Sequence, residues 1–256
     1  MIYSNYERNH VVIPGREKKL EAFLKQDYKG MQHKWENGFN SHSEDALTWS
    51  CFDLISNFSL SKKISVLDEI FEDSFAGKST LHFRDIIKDE IDISIHIGKQ
   101  YTGFTTNETT EVDASIELPN KLIFFEAKLY STVSMSEPPE KLYDQIAQKL
   151  RIGLDNPLQE KRDFYFIFID IAPLDKLNCR RSIKEALLPS KGFSDKWKSA
   201  WLFKYYKYGR NKSHKPIQQI LNGIKNIPSI ETITSNMGWL TWTDLFKDIL
   251  RGMVKE

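Results

Sequence analysis

The chain reads as an α/β protein, a central sheet flanked by helices, and three stretches carry that reading. Thr109 to Lys128 reads as two strands joined by a tight turn at Pro119-Asn120. Ile91-Asp92-Ile93-Ser94-Ile95-His96-Ile97 alternates strictly between apolar and polar, as a strand with one wet face does. Phe164-Tyr165-Phe166-Ile167-Phe168-Ile169 is apolar on both faces, as a central strand covered by helices would be. Helical stripes separate these segments, so the order along the chain is helix, strand, hairpin, helix, strand.

From the start, the spacing predicts a helix over about Arg16 to Gln26 and a loop through Asn37-Gly38-Phe39-Asn40. Ser41 then opens a stronger helix. Ser41 and Glu44 fit a capping box, and Leu47, Cys51, Leu54 and Phe58 form a stripe at helical spacing. Glu44 lies one turn before Leu47 on that stripe, so it either points inward at the helix start or completes the cap. A second helix over about Lys62 to Phe75 shows Ile64, Leu67, Ile70, Phe71 and Phe75 and ends at Gly77. Ala76-Gly77-Lys78-Ser79-Thr80 mimics the tail of a phosphate-binding loop, but Glu72 stands where the earlier glycine is needed, and the segment follows a helix. A nucleotide-binding loop is therefore excluded.

His96 and Asp92 share the polar side of the alternating strand and read as an exposed face. Gly98 to Asn107 is expected as a loop leading into the hairpin. After it, Pro138-Pro139 break the chain before a helix of about Glu140 to Ile152, with Leu142, Ile146 and Leu150 inward and Gln145, Gln148, Lys149 and Arg151 on other faces. Further helices are expected at about Asp175 to Leu187, Ser194 to Tyr206 and Pro216 to Ile224. Gly238 to Trp242 reads as a short strand or turn before a closing helix to about Met253.

With 256 residues, 40% of them hydrophobic, the chain can bury one substantial core, and a single domain over 1–256 is expected. Aromatic residues are plentiful and no segment is repetitive, which speaks against disorder. The amino terminus lacks the apolar run of a secretory signal, and the longest apolar run, Phe164 to Ala172, is broken by Asp170 and too short to span a bilayer. The expectation is a soluble, cytoplasmic protein without a membrane partner. Cys51 and Cys179 can make neither a disulfide scaffold nor a zinc cluster and read as buried thiols. A formal charge of +1 leaves the question of nucleic acid to charge distribution.

If the hairpin loop is symmetric about Pro119-Asn120, Leu118 faces Lys121, Asp113 faces Glu126 and Glu111 faces Lys128, all four charged residues on one face. Directly opposed Cβ atoms sit roughly 4.5–5.5 Å apart, so two carboxylates are pushed together beside an ammonium. A divalent cation relieves that repulsion, and hard oxygen ligands suit Mg²⁺ or Mn²⁺.

Asp113, then Glu126-Ala127-Lys128 after the apolar strand Leu122-Ile123-Phe124-Phe125, resembles the signature of the PD-(D/E)XK nuclease superfamily, with Val112 where the name-giving proline would stand. The resemblance implies a restriction-endonuclease-like αβββαβ core with a mixed central sheet over about 41–171, and a C-terminal helical extension over about 175–256. It further implies that Asp113 and Glu126 hold Mg²⁺ or Mn²⁺, with Glu44 and the Ala127 carbonyl completing the shell and Asp45 as the alternative to Glu44. Lys128 would position and help deprotonate the attacking water, and Gln145 would reach the cleft from the following helix. The implied activity is metal-dependent hydrolysis of phosphodiester bonds, of DNA rather than RNA, in a restriction or defence nuclease working as a homodimer or with a targeting partner protein. The alternative is a catalytically inactive module on the same fold that binds nucleic acid or a protein.

Lys191 to Lys215 is locally basic, with Lys196, Lys198, Lys204, Lys207, Arg210 and Lys212 among its cations and Asp195 as its acid. Aromatic residues interleave with them. Cations of this kind meet phosphates and release counterions, so these six are the expected nucleic-acid contacts. Trp197, Trp201 and Tyr205 recur at helical spacing and read as core before base platform.

Overall fold

The computed structural model describes residues 1–27, 30–75, 81–87, 92–129, 131, 144–156, 162–170 and 217–255. Among these, five strands make one mixed sheet in chain order: β1 (Ser94–Thr102), β2 (Thr109–Leu118), β3 (Lys121–Ala127), β4 (Asp163–Asp170) and β5 (Met237–Thr241). β1 to β3 form an antiparallel meander, and β4 and β5 then add in parallel. The hairpin folds in the expected register, Leu118 pairing with Lys121 across the Pro119-Asn120 turn.

Helices cover both faces. On one lie α3 (Glu44–Ser56), α4 (Leu60–Ser74), α5 (Phe83–Ile87) and the closing helix α9 (Trp242–Val254), around a core that takes Ala114, Ile116 and Leu118 from β2, Ile123, Phe125 and Ala127 from β3, and Tyr165, Ile167 and Ile169 from β4. On the other lie α6 (Gln145–Leu154), which crosses from β3 to β4, with α7 (Ile217–Ile220) and α8 (Ile230–Ser235), over Leu122, Phe124, Phe164, Phe166 and Phe168. β4 is therefore apolar on both sides because both sides are covered. Two short helices near the amino terminus, α1 (Glu17–Leu24) and α2 (His33–Asn37), set Leu20, Phe23 and Leu24 against Trp49 of α3. Cys51 is buried on α3, and burial pushes its thiol up to about 12. Cys179 lies outside the described residues.

β1 is longer than its alternation suggested and runs to Thr102 instead of giving way to a loop at Gly98. Ile97 packs toward the α3 side, whereas Tyr101, four residues on, is buried on the α6 side. Strict alternation would put both on one face. On β2 the same exchange separates Ala114, on the α3 side, from Val112, on the α6 side. The exchange is centred on Gly98, whose φ of 63° is open to glycine, and on Asp113, the residue between the two β2 positions. The strand goes on, but its faces swap.

The helix start expected at Ser41 moves by two residues. Ser43 caps α3, its side chain accepting from the Ala46 N–H at 3.2 Å, so Glu44 is the first helical residue and takes no part in a capping box. No helix among the described residues is long and apolar enough to cross a membrane.

Candidate active site

The hairpin delivers the candidate residues to the end of the sheet where β3 runs out. Asp113 is the next β2 position after the last recorded rung of the ladder, Ala114 with Phe125. Its Oδ2 accepts the Ala127 N–H at 2.7 Å, so the aspartate carboxylate caps the end of β3. Glu126 is fully buried, and its neighbour Lys128 is nearly so. The Lys128 backbone is pinned from two directions: its N–H donates to the Ile169 carbonyl of β4 at 2.8 Å, and its carbonyl accepts from Trp242 Nε1 of α9 at 3.0 Å. That fixes where its side chain starts.

The Lys128 ammonium lies 3.0 Å from Glu126 Oε1 and donates to Glu44 Oε1 at 3.1 Å and to its own neighbour's carbonyl, Ala127 O, at 3.0 Å. Glu44 reaches this point from the first turn of α3. Its second oxygen accepts from the Leu129 N–H at 3.1 Å and from Ser131 Oγ at 2.5 Å. The inward orientation, not the cap, is the one Glu44 adopts. Asp113, Glu126, Lys128, Glu44 and the Ala127 carbonyl therefore come together, from two strands and a helix far apart in sequence.

One expected partner, Glu111, does not join them in the expected way. Glu111 pairs with Gln100 of β1 and sends its carboxylate to Lys34 of α2 at 2.6 Å, away from Lys128, because the faces of β2 swap between these residues. Gln145 is half-buried at the first position of α6, and it is Lys149, one turn further on the same helix face, that makes the ion pairs. The Lys149 ammonium pairs with Glu126 Oε2 and stands 3.7 Å from Asp113 Oδ1. From the sequence, Lys149 falls to a face other than the inward stripe of Leu142, Ile146 and Leu150, whereas the structure buries it. The signal was its position three residues after Ile146 and one before Leu150, on the buried stripe of α6.

Charge around the site is unbalanced toward acid. Five carboxyl groups, Glu44, Asp45, Glu111, Asp113 and Glu126, meet three ammonium groups, Lys34, Lys128 and Lys149. Asp45 registers the surplus: burial first, then the Asp113, Glu44 and Glu111 carboxylates, push its carboxyl up to about 7, against the pull of Lys34. Glu126 Oε1 is buried beside Lys128 and accepts no hydrogen bond among the described residues. Surplus carboxylate, a buried carboxylate oxygen held by ion pairing alone and an adjoining carbonyl form a donor set that suits a hard cation. As the side chains stand, no three His, Cys, Asp or Glu among the described residues converge closely enough to hold an ion. The Lys149 ammonium stands between the two that would begin it.

Lys196, Lys198, Lys204, Lys207, Arg210 and Lys212, the expected nucleic-acid contacts, lie outside the described residues. His96 is half-buried on β1, 3.9 Å from Glu117, with its imidazole held below the usual range by burial and by Lys99. It pairs with Ser115 of β2, toward the turn end of the hairpin and away from the cluster. Comparison with protein-family models, curated proteins and solved structures returned no match.

Proposed function

We propose that the protein is a metal-dependent nuclease that hydrolyses phosphodiester bonds, in DNA rather than RNA, on a restriction-endonuclease-like core. The observation that carries this reading is that Asp113, Glu126 and Lys128 lie at the end of β3 in one network of ion pairs and hydrogen bonds with Glu44 from the helix that precedes the sheet. The order α3, β1 to β3, α6, β4, with a meander followed by a parallel strand, supports it, being the αβββαβ succession that the PD-(D/E)XK resemblance implies.

Asp113 and Glu126 would hold Mg²⁺ or Mn²⁺, with Glu44 and the Ala127 carbonyl as further ligands. Bound there, the ion would polarise the scissile phosphate and stabilise charge on the leaving oxygen. Lys128, held by its backbone between β4 and α9, orients the attacking water next to Glu126 and offsets negative charge as it develops. The six basic residues from Lys196 to Lys212 would contact phosphates along the substrate. A homodimer or a targeting partner fits a nuclease of this kind, in the cytoplasm of a bacterium defending its DNA.

A second reading, a binding module on the same fold without turnover, is favoured by one observation: the Lys149 ammonium takes the space between the carboxylates. One experiment separates the two. Purified protein is incubated with plasmid, linear duplex, single-stranded DNA and RNA, in Mg²⁺, Mn²⁺ or EDTA, beside Lys128→Ala. The nuclease reading expects metal-dependent cutting that the variant loses while still binding substrate. No cutting of any substrate, or a variant as fast as the parent, overturns it.

A further inference from the structure

Lys149 is 3% exposed, with its ammonium beside Asp113 and beside Glu126, which Lys128 also meets. Lys128 supplies Glu126 and Glu44 with a cation, which leaves Asp113 and the second oxygen of Glu126 to Lys149. The oxygens it takes are informative. Asp113 Oδ2 is spent on the Ala127 N–H, which leaves Oδ1 as the freer one, and Lys149 stands over that Oδ1 and over Glu126 Oε2. These are the atoms that a cation bridging the hairpin would use.

We infer that Lys149 is a built-in cation standing in the divalent-ion position, so that a metal enters only as this ammonium leaves, and Lys149 sets the affinity of the site. The inference rests on the nuclease reading above. An ammonium and a divalent ion cannot share two carboxylate oxygens, because like charges in a poorly solvated site repel and the space admits one of them. Without either, Glu126 would keep a buried charge short of a partner, and the metal-free fold avoids that cost by inserting the lysine.

The neighbouring cation on α6 shows the difference between an anchor and an occupant. Arg151 grips Glu108 through Nε and Nη2 and also donates to the carbonyls of Ile220 and Asn222, which ties α6 to the segment beyond α7. The Lys149 ion pairs are with Glu126 and Asp113 alone among the described residues. A lysine stem is flexible, and side chains on a helix lean toward its amino-terminal end, so the ammonium can swing toward Gln145 while α6 stays in place. Displacement would leave it at the rim, beside incoming phosphate.

The test measures binding of Mn²⁺ alone, by loss of the free-ion electron paramagnetic resonance signal, to the wild type, Lys149→Met, Lys149→Gln and Asp113→Asn. The expected result is at least tenfold tighter Mn²⁺ binding by both Lys149 variants and weaker binding by Asp113→Asn. Melting curves should agree: metal-free Lys149→Met melts below the wild type, and saturating Mn²⁺ raises it by more than it raises the wild type. If Lys149→Met does not fold, Lys149→Gln, which keeps an N–H donor toward Glu126, carries the comparison. If the wild type binds Mn²⁺, Asp113→Asn does not, and the Lys149 variants bind within twofold of the wild type or more weakly, the inference falls and the nuclease reading stands. If no form takes up Mn²⁺ and plasmid DNA stays intact, both fall together.

Discussion

Trp242 Nε1 donates a hydrogen bond of 3.0 Å to the carbonyl of Lys128, from the first residue of the last helix to the residue just past β3. Both partners are buried. The lysine of the site is thereby held by a contact that spans 114 positions of sequence. Trp242→Phe keeps most of the ring and removes the donor. It should cost about 1–2 kcal/mol of stability, the penalty of one buried carbonyl left unsatisfied, measurable by equilibrium urea unfolding. Under the nuclease reading it should also slow cutting more than it weakens substrate binding, because the Lys128 stem loses one of its two backbone anchors.

Glu126 is the acid on which two ammonium groups depend. Glu126→Gln leaves Lys128 and Lys149 facing an uncharged amide in a place closed to water. Breaking a buried pair by removing one partner is severe, and a loss of about 3 kcal/mol is expected from denaturant midpoints. A change below about 0.5 kcal/mol would mean that the cluster is wetter than its burial indicates.

Away from the site, α9 packs on α4 across a pair of acids. Asp248 is fully buried, and burial, with Asp73 opposite and Asp244 one turn earlier, pushes its carboxyl up to about 8 despite Arg251 3.3 Å away. Its native pKa is raised above the unfolded value, so the folded state holds the proton more tightly. This contribution is fully present below about pH 4 and is lost as pH rises through about 8. Stability should therefore fall between pH 5 and pH 8, by on the order of 3 kcal/mol from this group, and Asp248→Asn should flatten the slope. Thermal melts at four or five pH values, wild type beside variant, decide it.

Gly98 should resist substitution. Its φ of 63° disfavours a side chain, and a Cβ there would meet Gln26 Oε1 at 2.8 Å, Lys34 Nζ at 2.9 Å and the Phe23 ring at 3.0 Å. The two polar neighbours can retreat, the backbone torsion cannot. Gly98→Ala should lose about 2 kcal/mol in urea unfolding, a sum of left-handed strain and displaced packing. A control at Gly15, also at positive φ but in open space, should lose about 1 kcal/mol or less.

Much of this was legible in the chain. Pro119-Asn120 fixed a symmetric turn, and a symmetric turn fixes register, so Leu118 meeting Lys121 and the approach of Asp113 to the Glu126 end of β3 follow from local chemistry. Phe164 to Ile169 announced its central place by lacking a polar face. What could not be read depends on contacts distant in sequence. A glycine that lets a strand exchange faces looks like a strand end, so from sequence alone β1 reads as stopping at Ile97 and Glu111 as facing Lys128. Lys34 and Lys149 look like solvated helix lysines, since nothing nearby in sequence discloses the carboxylates that Glu111, Glu126 and Asp113 bring to them. Ser41 and Ser43 offer the same hydroxyl to the start of α3, and it is Ser43 that takes the cap.

The exchange of faces at Gly98 and Asp113 makes β1 and β2 shared beams, one half of each resting in each hydrophobic layer. The aspartate sits at the joint. Damage to either layer, even at a distance, would tilt that joint and carry the carboxylate with it, so impaired chemistry in this protein need not point to a residue of the cluster itself.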